Sequence, residues 1–185
     1  MFGARAGAGA AAYAKRAGPP NIDDRDVARG VAEANDPFDR AKGESPYDIQ
    51  RDLQDSMGSL VGIFRTESDL KEGIQNIERL KDRAKNVSVE GSRLYNPGWH
   101  LALDLRNLLI VSESIARAAI LRKESRGAHS RLDYPTADAR FGKVNMAVRK
   151  AGDRMDVREA PLTGLPAELQ KIYDDVENVK LGLKA

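Results

Sequence analysis

The segment from Pro97 to about Arg122 is the most hydrophobic in the chain, and it constrains the fold more than any other. Its apolar residues recur at helical spacing but wrap most of the circumference. That pattern predicts a central helix with neighbours on more than one side. Asp104, Arg106, Glu113 and Arg117 interrupt the stretch from Leu101 to Leu121. A membrane-spanning helix needs about 18 uncharged apolar residues, so a span is ruled out. Two further helices precede it. Ser45-Pro46 reads as N-cap and first helical residue, with Asp48 favourably placed in the first turn. Ile49, Leu53, Met57 and Leu60 follow at helical spacing, and Gly58 and Gly62 weaken the end of that run. Val61 to Phe64 leaves the helix, Thr66 to Asp69 starts another, and Leu70, Ile74, Ile77, Leu80 and Ala84 form its apolar stripe. Three helices joined by modest loops predict an up-down-up bundle. Leu70, Ile74, Ile77, Leu105, Leu108 and Ile115 are its expected common core.

The flanks read differently. Residues 1–18 are alanine-rich, free of acids, and end at a Gly18-Pro19-Pro20 stop, which predicts a helix. Gly3 and Gly7 would let a neighbouring backbone approach it. A secretory signal is broken by its glycines and Arg5, and a transit peptide would be longer and richer in serine. Residues 19–44 are polar and short of large apolar side chains, a linker with one short helix. Beyond Pro135 the period changes to two. Lys143 to Arg149 alternates, Ala151-Gly152-Asp153 turns, and Met155 to Arg158 alternates again, which predicts a hairpin. Ala167 to Lys180 reads as a terminal amphipathic helix carrying Leu169, Ile172, Tyr173, Val176 and Val179. The expected fold is therefore mainly α, a three-helix bundle with a small β-hairpin and a C-terminal helix.

Composition removes several kinds of chemistry. The 185 residues include no cysteine, which excludes disulfides, thiolate metal sites, iron–sulfur ligation and thiol catalysis. With two histidines, a histidine-rich metal centre is not expected. Thirty basic residues against 28 acidic ones neither demand nor exclude a polyanionic partner. The mean hydropathy of −0.52 predicts a soluble chain.

Two constellations could carry chemistry. His100, Asp104 and Asn107 fall on one helix face, with His100 and Asp104 at the spacing where a carboxylate can orient an imidazole. No nucleophile or metal companion accompanies them, so a polar stripe serving the adjoining loop is the simpler reading. The denser cluster runs from Arg122 to Arg131 and holds Glu124, Arg126, His129 and Arg131. Cations after a helix C-terminus complement its dipole, with Gly127 as a left-handed cap. Guanidinium groups also recognise carboxylates or phosphates through paired hydrogen bonds, so docking and capping both remain open. The hairpin's Lys143, Arg149, Lys150, Arg154 and Arg158 form a mild basic ribbon, but with Phe141 alone nearby, binding of single-stranded nucleic acid by stacking is not expected.

The motif from Glu124 to Pro135, ESRGAHSRLDYP, closely resembles the ESRGAHxRxDxP signature of succinate dehydrogenase and fumarate reductase flavoprotein subunits, partly shared by aspartate oxidase. The resemblance runs from Met1 to Tyr134. Met1 to Gly7 looks like the family's FGxxAG helix. Leu53 to Met57 with Val61 to Thr66 looks like the first helix of its C-terminal domain and the turn after it. Asp104 to Leu109 with Glu113, Ala116 and Arg117 resembles its long central helix, and Leu94 to His100 is similar to actinobacterial-type members.

The resemblance implies a C-terminal helical domain of spectrin-repeat type from an FAD-dependent oxidoreductase that interconverts succinate and fumarate. It assigns residues 1–18 to the terminal helix of an FAD-binding domain, 19–44 to a linker, 45–134 to the bundle, and 135–185 to the hairpin and last helix. The family's flavin and substrate positions all precede its FGxxAG helix. The sequence therefore reads as a fragment, split gene product or truncated frame, with no catalytic, cofactor or metal residue and no FAD of its own. The expected partners are the FAD-binding catalytic core of the same flavoprotein and an iron–sulfur subunit, without nucleic acid or membrane insertion. The expected location is cytoplasmic, peripheral on the inner face of the cell membrane. Glu124, Arg126, His129 and Arg131 are the candidate docking residues. The rival reading is a free-standing helical adaptor that binds an acidic partner through residues 122–131.

Overall fold

A computed structural model describes the backbone of residues 2–180 and the side chains of residues 2–176; Met1 and the Val179 side chain lie outside them. Six helices and two small strand pairs make up the described chain: α1 (Phe2–Ala17), α2 (Asp24–Asp39), α3 (Pro46–Leu60), β1 (Phe64–Arg65), α4 (Glu67–Ala84), α5 (Pro97–Leu121), β2 (Ser130–Arg131), β3 (Val144–Ala151), β4 (Arg154–Pro161) and α6 (Ala167–Lys180). The mainly α expectation is borne out. Local chemistry sets the helix starts. Thr66 Oγ1 accepts the Asp69 amide at 3.2 Å at the head of α4, and Asn96 Oδ1 accepts the Trp99 amide at 3.0 Å at the head of α5. Pro46 occupies the first turn of α3, where its missing N–H costs nothing.

The three helices α3, α4 and α5 pack together around Ile49, Leu53, Val61, Leu70, Ile77, Leu80, Val87, Leu105, Leu109, Ala116 and Ala119. Gly73 of α4 belongs to this contact, since a Cβ there would meet the Val61 side chain at 2.8 Å. Gly43 allows a closer approach, with Asn86 O lying where its Cβ would be. That approach lets Glu44 pair with Val87 in a parallel bridge.

The core differs from the expected one on α5. Leu70, Ile77 and Leu105 are buried and Ile74 is partly so, but Leu108 is 37% and Ile115 is 43% exposed. The helix is apolar nearly all round, so its periodicity does not fix its phase. Packing does. The inward face is Leu105, Leu109, Ser112, Glu113, Ala116 and Ala119, whose small members let α5 lie close against its neighbours. Leu108, Val111 and Ile115 point outward as a consequence. Glu113 is nearly sealed and is held by ion pairs to Lys81 of α4 and to Arg117 one turn along at 2.7 Å.

The stretch read as a linker with one short helix contains the 16-residue α2. Asp23 caps it through the Arg25 amide at 2.9 Å, and its C-terminal part touches the bundle, with Glu33 3.7 Å from Arg106 of α5. There Trp99 Nε1 donates to Ala34 O at 2.6 Å, and the Trp99 ring meets Phe38 edge-on at 5.4 Å. Pro37, buried in the last turn, removes only one amide near the helix end. The α1 helix forms, but no atom lies within 4 Å of a Cβ built at Gly3 or Gly7, so the expected close backbone approach is absent among the described residues. The expected hairpin forms, with Val148 opposite Val157, around a two-residue turn whose Gly152 takes φ +62°. It lies against α5, while Leu169, Ile172, Tyr173 and Val176 of α6 are exposed.

The rotated phase of α5 is directly testable. Leu109→Ala should cost about 2–5 kcal/mol in urea denaturation, and Leu108→Ala less than about 1 kcal/mol. Equal losses at the two positions would contradict the phase.

Candidate functional site

Segment 122–135 folds back under the C-terminus of α5, where a helix leaves carbonyls without intrahelical partners. The Arg131 side chain meets that need. Its Nη1 donates to Ala119 O at 3.0 Å and Ile120 O at 3.3 Å, while Nε and Nη2 grip Asp133 at 2.8 and 2.7 Å. The guanidinium also lies 4.9 Å from the Tyr134 ring centroid, and Arg131 is 0% exposed. Asp133 in turn accepts the Glu67 amide at 2.9 Å, at the start of α4. The Arg131–Asp133 pair therefore ties the end of α5 to the beginning of α4, placing negative charge at a helix N-terminus and positive charge at a C-terminus.

Glu124 organises the other half of the loop. Fully buried, its carboxylate takes Arg122 at 2.7 Å, Arg126 at 3.0 Å and the Asp138 amide at 2.8 Å. Ser125 Oγ accepts the Arg131 amide at 2.8 Å and lies 2.9 Å from Tyr134 O, to which it donates. Arg126 and His129 exchange backbone hydrogen bonds of 2.8 and 3.1 Å across Gly127-Ala128, with Gly127 at φ +58°. Gly127 thus serves this tight turn and not the helix cap, which is Arg122. The loop also pairs with β1 as a short parallel ladder, Phe64 with Ser130 and Arg65 with Arg131.

His129 joins the two segments. Its Nε2 lies 2.9 Å from Arg122 O and therefore donates, which leaves Nδ1 to accept from Arg65 Nη1 at 2.6 Å. Burial lowers the His129 pKa, and Arg65, Arg131 and Arg122 push it down further against the opposing Arg122 carbonyl. Burial and Arg131 also lower that of Arg65. Burial alone would raise the Glu124 carboxyl, but Arg126, the Asp138 amide and Arg122 outweigh it and hold it at about 2. Arg131 is the main cause holding Asp133 at about 2.

The structure thus brings Glu124, Arg126, His129 and Arg131 together, but it commits Glu124 and Arg131 inward and leaves Arg126 and His129 nearer solvent. Sequence reasoning missed Arg65 and Asp133 as members of the group. Arg65 lies 64 residues from His129, and no periodicity connects them. His100, Asp104 and Asn107 do share an exposed face, but no hydrogen bond joins them. Among the described residues, no group of three or more acidic or histidine side chains could hold a metal.

A family model described as the C-terminal region of the fumarate reductase flavoprotein matches residues 50–181. The chain is 32% identical over 164 residues to a Mycobacterium tuberculosis fumarate reductase flavoprotein subunit, covering 83% of this chain and 28% of that one. It is 36% identical over 96 residues to the Helicobacter pylori subunit, covering 51% and 13%. Among solved structures, a Mycobacterium smegmatis Sdh1 complex chain superposes with a TM-score of 0.82 at 42% identity, over 88% of this chain and 28% of that one. An E. coli quinol fumarate reductase chain gives 0.71 at 27% identity, over 82% and 27%. The chain spans about a quarter or less of the length of these relatives.

The two depressed carboxyls make the loop acid-sensitive with a definite sign. Their contribution is fully present above the unfolded values near 4.5 and 3.8, and it is lost as pH falls through about 2. Glu124→Gln should destabilise by about 1.5–3 kcal/mol near neutrality, because it removes the buried, charged acceptor shared by Arg122, Arg126 and the Asp138 amide. The gap to wild type should narrow between the unfolded Glu value and about 2 in melting temperatures measured against pH. A gap that does not change with pH would contradict the ionised, internally paired Glu124.

Proposed function

We propose, from the premise that this chain belongs to the fumarate reductase and succinate dehydrogenase flavoprotein family as its C-terminal helical domain, that its own role is structural. In this reading it docks on the flavin-binding catalytic core of the same flavoprotein and helps form the surface that meets an iron–sulfur subunit. The assembled protein would interconvert succinate and fumarate through FAD while lying peripherally on the inner face of the cell membrane. No helix among the described residues is long and apolar enough to cross a membrane, in keeping with a peripheral position.

The observation that carries the reading is the use made of the signature loop. Glu124, Arg131 and Asp133 make their hydrogen bonds inside the domain, where Arg131 and Asp133 join α5 to α4. A loop built this way holds a surface in shape. The outward stripe of Leu108, Val111 and Ile115 supports the same reading, because an apolar helix face is costly to leave in water. Arg126 and His129, at the rim, are the remaining docking candidates.

FAD does not fit the described residues. A dinucleotide cradle needs a strand, a glycine-rich turn and a helix N-terminus turned toward the pyrophosphate. Gly3, Gly7 and Gly9 instead lie along an exposed helix with open space beside them. The longest parallel ladder among the described residues has two residues per strand. Within the assembly the flavin would supply the redox chemistry, and this domain would supply shape and contact.

The purified chain should be colourless, and added FAD should leave its melting temperature unchanged, since a ligand stabilises only the state it binds. A tagged copy expressed in its native cell should co-purify with a flavin-bearing polypeptide. Stoichiometric FAD on the chain alone, or succinate-dependent dye reduction by it, would overturn the reading.

A further inference from the structure

The loop cluster leaves one cation out of its internal accounts. Segments 63–65 and 122–133 hold Arg65, Arg122, Lys123, Arg126 and Arg131 against two acidic side chains, Glu124 and Asp133. Glu124 pairs with Arg122 and Arg126, Asp133 pairs with Arg131, and Lys123 lies 3.7 Å from Glu67. Arg65 has no carboxylate within ion-pair distance among the described residues. Its Nε donates to Val61 O at 3.2 Å and Gly62 O at 2.5 Å, and its Nη1 donates to the neutral His129 ring. These contacts fix the guanidinium in position without neutralising it. No buried side-chain nitrogen among the described residues lacks a partner, so the unbonded Nη2 meets solvent.

The surroundings show what kind of group is missing. A half-buried guanidinium near Arg131, Arg122 and His129 is electrostatically unfavourable, and an anion would relieve it. Ile63 and Phe64 precede it in the chain, Leu132 donates its amide to Arg65 O beside the β1–β2 ladder, and all three large apolar residues are exposed. A preset cation edge with apolar flanks matches an acidic side chain carried between apolar neighbours on a protein surface.

We propose that Arg65, held in place by His129, is the docking point for a single Asp or Glu side chain presented by the flavin-binding part of the flavoprotein, with Ile63, Phe64 and Leu132 covered by the residues beside it. The proposal rests on the docking role given above, but it concerns a different atom set from the internal Glu124 and Arg131 pairs.

The test uses the intact purified chain and two capped tripeptides, Leu-Glu-Leu and Leu-Gln-Leu, which differ only in charge. Their binding is followed by NMR at the Arg65 Nε–H and the His129 ring. The Glu peptide should bind saturably and shift both groups, at least about tenfold more tightly than the Gln peptide. Arg65→Lys keeps the charge while losing the fork and should weaken that binding. Arg149→Gln, on the hairpin, should leave it unchanged. Succinate should displace the peptide no better than acetate does, because one carboxylate is recognised; preferential displacement by succinate would replace the docking site with a small-dicarboxylate site. Equal binding of the two peptides, shifts centred away from Arg65, or no saturable shift would overturn the proposal. The wild-type comparison needs no variant to fold, and any of these failures would leave family membership and the flavin result untouched.

Discussion

The fold depends on a guanidinium placed where a core side chain would otherwise be. Arg131 is as inaccessible as Leu70 and Ile77, yet it carries a permanent charge. Such a group is tolerable only when every side of it is answered. Asp133 supplies the counter-charge, the Ala119 and Ile120 carbonyls take the remaining donors, and Tyr134 covers a face. The carbonyls belong to the end of α5, and Asp133 reaches the first amide of α4. Burying this pair costs desolvation, and its return lies in geometry: it sets how the end of one helix meets the start of the other.

A second ionic group does similar work one level up the bundle. Glu113 lies on the inward face of α5 among Leu109, Ala116 and Ser112, and it is satisfied by Lys81 of α4 and by Arg117. Between these two polar anchors the contact is made by small side chains, which favours close helix approach over bulk. The larger apolar residues of α5 are therefore displaced to its outer face. The same packing that makes the bundle tight leaves Leu108, Val111 and Ile115 exposed, a surface suited to a further layer of protein.

Much of this was legible in the sequence because local chemistry announces it. Thr66 and Pro46 mark helix starts, and Gly152-Asp153 marks a two-residue turn between alternating runs, so the helices and the hairpin were readable. The phase of α5 was not, since a helix apolar on nearly all sides carries no directional signal and only the packed neighbours choose a face. The length of α2 was hidden for the opposite reason. Its apolar stripe is thin, Val27, Val31, Ala34 and Phe38 on an otherwise polar helix, and its anchoring by Trp99 comes from 65 residues away. The signature residues were identified by their motif, but their direction was not. Cations at a helix end suggest a surface, and only the positions of Asp133 and the Ala119 and Ile120 carbonyls turn Arg131 inward.

The central claim, that the Arg131–Asp133 pair clamps α5 to α4, is tested most directly by a double-mutant cycle in urea denaturation. The variants are Arg131→Lys, Asp133→Asn and the two combined, which keep size and much of the hydrogen bonding. The account predicts a coupling energy of about 1–3 kcal/mol between the two positions. Losses that add to within about 0.5 kcal/mol would show that the residues act independently and would contradict the clamp.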